Sequence, residues 1–136
     1  MKKENKKFSS FLKEKENIFY LIIVLTIATV RLSKFFFLQN VHLRIAGIVI
    51  HHFWIGILLL STGFFIPKNK KIAKILLYGI GMGLIIDESM FMVFGGGLDM
   101  EYWKLQSVIG AAIVAICIYP LRKKLEKFLF KINLSD

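Results

Sequence analysis

The chain has 136 residues, 56% of them hydrophobic, and a formal net charge of +10. A mean hydropathy of +0.61, concentrated in long runs, excludes an ordinary soluble domain and indicates one integral membrane domain. The single cysteine, Cys117, excludes an internal disulfide. The lysines gather just outside the apolar runs and are not interleaved with exposed aromatics, which excludes nucleic acid as a partner and points to a bilayer with anionic lipids.

A helix that crosses a hydrocarbon core of ~30 Å needs about 20 apolar residues. Four segments qualify, and the fold class they predict is all-α, a four-transmembrane-helix bundle. The first span covers about 18–38 and passes Arg31 into "FFFL"; its long charged lead, with no clean cleavage site, marks an uncleaved anchor. The second covers about 41–66 and closes at Pro67, and the third covers 72–94 and closes at "GGG". The fourth covers about 102–120, with Pro120 as a kink or stop. The runs are too long and continuous for barrel strands.

Basic, amphipathic tails flank the spans at 1–17 and 121–136. In "LRKKLEKFLFKI" the apolar residues recur at helical spacing with lysines between them. Such a stretch either lies on the membrane surface or extends the last helix with snorkelling lysines. The two tails and the connection between spans two and three hold fifteen Lys and Arg residues, against four in the other two connections. That asymmetry predicts both termini in the cytoplasm and a multi-pass protein of the cytoplasmic (inner) membrane.

Span two carries "IVIHHFWIG" and span three carries "GIGMGLIIDE". Counted at 1.5 Å per residue, His51 and His52 lie roughly 13–16 Å, and Asp87 and Glu88 roughly 9–11 Å, below the outer ends of their spans. The pairs therefore share the outer half of the membrane. An unpaired carboxylate at a helix centre costs about 2.5–3.5 kcal/mol to insert, so Asp87 and Glu88 call for partners. Arg31, His42 and Arg44 lie nearer the outer surface and are candidates to pair.

Imidazole with carboxylate suits a divalent metal, zinc, iron or manganese, with His51, His52, Asp87 and Glu88 as ligands and Asp87 or Glu88 as general base. The same groups are parts of a proton or ion path, or a structural hydrogen-bond cluster in a non-enzymatic accessory protein. No second well-spaced intramembrane histidine supports heme.

Helix geometry sharpens the expectation. Neighbouring residues point about 100° apart, so the members of each pair are expected to diverge. His52 shares a face with Gly56 and Gly63; Asp87 continues the stripe Gly79, Gly83; Glu88 lies over Gly81. Small residues let helices approach closely. The matching faces place His52 opposite Asp87, with His51 and Glu88 as a second pair. Ser107, Ala111 and Ala115 form a small stripe on span four.

In "GGGLDMEYW", Tyr102 and Trp103 read as an interfacial anchor or as a lid over the cluster hinged on the glycines. "GIGMG" lies inside a span with no preceding strand and is no nucleotide loop. A path for ions through a chain this small would call for a homo-oligomer.

"HHFWIGILLL", "GIGMGLIIDE" and "EYW" followed by a serine, in this order over roughly 45–115, resemble a group of small uncharacterised bacterial and archaeal integral membrane proteins. The resemblance implies that His51, His52, Asp87, Glu88, Tyr102 and Trp103 belong to one shared feature; it implies no activity. Members of the group carry a further histidine where this chain has Val49.

Overall fold

The computed structural model describes residues 14–36, 44–45, 48–49, 51–67, 69–95 and 105–131. It is helical: α1 spans Lys15–Phe36, α2 His52–Phe65, α3 Lys71–Gly95 and α4 Leu105–Lys131. A two-residue antiparallel pairing, β1 (Arg44–Ile45) with β2 (Ile48–Val49), precedes α2. Three helices, α1, α3 and α4, are long and apolar enough to cross a membrane.

The helices alternate in direction, as their side-chain levels show. On α2 and α3, His52 meets Glu88 near one end and Gly63 meets Tyr78 near the other. On α1 and α4, Arg31 reaches Ser107 and Asn17 reaches Arg122. The start of α1 and the far half of α4 thus lie together, at the end that collects the lysines. Arg31, the histidines, Asp87, Glu88 and Ser107 lie at the opposite end, beside the hairpin.

α3 is the hub, in contact with α1, α2 and α4, and α1 also packs on α4. Glycines set both main contacts. A Cβ on Gly79 would stand 2.6 Å from Ile22 Cγ2, and one on Gly83 would stand 2.7 Å from Thr26 Cβ, so this stripe seats α1. Thr26 helps by donating its hydroxyl to the Ile22 carbonyl at 2.8 Å, which turns its methyl toward α3. The other stripe seats α2: a Cβ on Gly56 would stand 2.7 Å from the Gly81 carbonyl oxygen, and one on Gly81 would stand 2.8 Å from the Gly56 oxygen. About two turns further along α2, the Tyr78 ring fills the space a Gly63 side chain would need. Close backbone approach of this kind drives association where lipid removes any hydrophobic advantage.

Two spans differ from the lengths read in the sequence. The second was expected as one helix from Val41 to Ile66, but α2 starts only at His52. Ile45, Ile48 and Val49 are β-branched and favour extended backbone, and His51 itself is extended (φ −76°, ψ 145°). At 14 residues, α2 is roughly 21 Å long. The fourth span does not stop at Pro120: α4 continues to Lys131. Proline forfeits one intrahelical hydrogen bond, and packing beyond it keeps the helix going, for Leu129 is buried and the Phe130 ring lies 5.7 Å from that of Tyr78. The last apolar run is therefore a helix extension.

Candidate functional site

The hairpin end of the bundle gathers six polar side chains from all four helices. Asp87 and Glu88 are neighbours on α3 and are 0% and 1% exposed. Their directions differ by about 100°, so each serves a different partner.

Asp87 continues the stripe that seats α1, and there it finds Arg31. The Arg31 Nε donates to Asp87 Oδ1 at 2.6 Å, and both groups are buried. The Nη2 of the same guanidinium donates to the Ser107 hydroxyl at 3.3 Å and to its carbonyl at 3.4 Å. One arginine thus joins α1, α3 and α4. Charge-assisted bonds of this kind offset the cost of keeping two ions out of water.

Glu88 continues the stripe that seats α2 and takes both histidines. His51 Nδ1 lies 2.7 Å from Glu88 Oε1, and His52 Nδ1 lies 3.2 Å from Oε2. The carboxylate lies close to the first turn of α2, where the positive end of the helix dipole favours an anion. An ionised Glu88 only accepts, so each contact is then a donation from imidazole Nδ1. The rings are partly open, with side-chain exposures of 36% and 35%.

The geometry corrects the expected pairing. His52 does not face Asp87, because the Gly79, Gly83, Asp87 stripe lies against α1 and not α2. Nor do His51 and His52 diverge. His51 precedes the helix in extended backbone, which frees it from the 100° step and lets both rings reach one carboxylate. Arg31 was among the expected partners and is paired with Asp87. Ser107 and Ala111 are buried as a small stripe should be, and Ser107 adds two acceptors that its size alone did not signal. Arg44 stands in β1, with its side chain outside the described residues; His42, Tyr102 and Trp103 also lie outside them.

The metal expectation meets a distance argument. Two ligands bonded to one ion at about 2.1 Å stand roughly 3.0–3.4 Å apart at right or tetrahedral angles. The His51–Glu88 contact of 2.7 Å is a hydrogen bond. Among the described residues no group of three or more His, Cys, Asp or Glu side chains is placed to hold one ion. Any ion here would use the Nε2 atoms, with Glu88 orienting the rings.

A second polar group at the lysine end escaped the sequence reading. Arg122 Nε donates to Asn17 Oδ1 at 2.7 Å, Asn17 Nδ2 donates to Glu14 at 3.1 Å, and the Arg122 guanidinium lies 4.0 Å from the centre of the Tyr119 ring. Lys74 is buried nearby on α3. Its position on the Tyr78, Gly81, Glu88 face, at spacings of four, three and seven, was the available signal. A depression of about 390 Å³ over Asn69–Ala73 also lies at this end and includes none of the histidine–carboxylate residues.

Set against known proteins, the chain matches no family model, no curated protein and no solved structure.

Proposed function

We propose that the chain is a four-span protein of the cytoplasmic membrane, with both termini inside, and that His51, Glu88 and His52 are the outward proton-exchange site of a proton or ion transport component. One observation carries this: a carboxylate that is 1% exposed is contacted by two imidazoles that are each about a third exposed. Protons reach Glu88 through the rings. A proton arriving at Nε2 forms an imidazolium, which passes its Nδ1 proton to the carboxylate; the ring is left neutral and Glu88 becomes a neutral acid. Imidazole is the side chain suited to this near neutral pH. The Arg31–Asp87 pair beside it is a fixed counterpart, already neutral as a unit. α2 forms the core of the fourth crossing.

Proteoliposomes with an enclosed pH dye and an imposed potassium potential test this. The wild type is expected to pass protons at least about tenfold faster than protein-free vesicles, and Glu88→Gln to fall to background. A wild-type rate equal to that of empty vesicles refutes the reading.

The imidazoles' orientation also favours a second reading, a divalent-metal site (zinc, iron or manganese) of a membrane enzyme. A histidine whose Nδ1–H is held by a carboxylate is oriented as metal-bound histidines usually are. A bound ion would supply an activated water for a membrane-embedded substrate. Metal analysis of detergent-purified protein separates the two. Stoichiometric metal that is lost in His51→Ala and His52→Ala but kept in Asp87→Asn establishes the metal; a metal-free protein with proton flux establishes the first reading.

A further inference from the structure

We infer that the last three turns of α4 form a surface for anionic phospholipid at the lysine end of the bundle, separate from the histidine–carboxylate cluster and resting only on the membrane placement. At 100° per residue, Leu121, Lys123, Lys124, Lys127, Phe128 and Lys131 occupy one continuous half of the helix, and all six are exposed. The other half is held by protein. Leu129 is buried, Leu125 and Phe130 pack on the core, and Arg122 is bonded to Asn17. Four fixed points set the rotation of the helix, so the lysine face is presented and does not roll inward.

The composition of that face selects the occupant. Lys123, Lys127 and Lys131 recur every fourth residue with Lys124 beside them, a row of ammonium groups along one helix face. Lys123 pairs with Glu16 at 3.4 Å. Among the described residues, no carboxylate lies within ion-pair distance of Lys124, Lys127 or Lys131. Phe128 is 60% exposed and Leu121 is 46% exposed along one edge of the row, positioned to enter the acyl boundary while the lysines meet phosphates. Basic amphipathic helices bind membrane interfaces in this way, and the attraction grows with the number of cations. A second copy of the chain would oppose four lysines with four more. The matching partner is therefore the anionic headgroup of a phosphatidylglycerol-type lipid.

Native mass spectrometry of the full chain, titrated in detergent with phosphatidylglycerol or phosphatidylcholine, tests the inference. The wild type is expected to retain the anionic lipid preferentially. K123Q/K124Q/K127Q/K131Q should lower that preference by about tenfold or more, and the all-arginine replacement should keep it. The comparison variant K2Q/K3Q/K6Q/K7Q, which removes the same charge from the N-terminal tail, should lower it clearly less than the α4 variant does. An equal loss in the comparison variant, or no preference in the wild type, overturns the inference. So does a two-chain mass that disappears in the α4 variant, which would name a second copy as the occupant. Proton flux is read separately, so a silent cluster leaves this result intact.

Discussion

The Arg31–Asp87 pair shows what one residue contributes at the centre of a bundle. Removing either partner takes from a buried ion its opposite charge, which typically costs about 3–5 kcal/mol, whereas replacing both with apolar groups of similar size is often neutral. Asp87→Asn and Arg31→Met are each expected to lower the unfolding temperature in detergent. The double variant Arg31→Met, Asp87→Leu should recover most of the loss; a double variant worse than either single would show that the pair does not act as a unit. Tyr78 makes the opposite case. Its hydroxyl is buried and has no hydrogen-bond partner among the described residues, so Tyr78→Phe removes an unsatisfied group and keeps the ring. Stability should hold or rise, by up to about 1–3 kcal/mol, and a clear fall would reveal a partner for the hydroxyl.

At the scale of elements, the glycines of α2 and α3 set how closely the backbones approach. Gly63→Ala would place its Cβ 2.2 Å from Tyr78 Cε1, an overlap expected to cost about 1–3 kcal/mol. Tyr78→Leu in the same chain should return part of that, and thermal melts of the four combinations measure the coupling. These stripes also mark what the sequence could and could not show. The spacing of Gly79, Gly83 and Asp87 made one face legible. Which helix it meets was not, because glycine was matched to glycine. Gly56 meets Gly81, on the face that was not chosen for it, and the Gly79 and Gly83 grooves receive Ile22 and Thr26, bulky residues that left no mark on the sequence of α1. The histidine geometry was hidden for another reason: helical spacing was carried back to Val41, while the helix begins at His52. Arg31 stood out as a cation in an apolar run and so as a candidate partner, but charge alone did not say that it, and not His52, takes Asp87.

Across the whole molecule, each end has its own polar group, and the stretch between them is held by ring and backbone contacts. The lysine end joins α1 to α4 through Asn17, Arg122, Glu16 and Lys123. At the hairpin end two carboxylates join α3 to α1 and to the head of α2, and Arg31 carries the link on to Ser107 of α4. The asymmetry of fifteen basic residues against four, counted on the predicted spans, predicts that the lysine end lies in the cytoplasm. A cysteine introduced at Lys127, in a Cys117→Ser background, is expected to react with a membrane-impermeant thiol reagent in inverted vesicles and not in intact cells. Labelling in intact cells would reverse the topology, and with it the outward direction of the histidines.

Both acids lie on α3, and both of their main partners come earlier in the chain: Arg31 on α1, and the histidines at the head of α2. During synthesis, then, the helix that is most costly to insert is made after the groups that neutralise it. An isolated α3 faces the full cost of two carboxylates in lipid, whereas an α3 emerging beside α1 and α2 does not. Ser107, which comes last, supplies only acceptors to an arginine that is already paired. The order of the helices is thus also an order of assembly. A glycosylation reporter should show poor insertion of α3 alone and efficient insertion when α1 and α2 precede it, with Arg31→Ala undoing part of the gain.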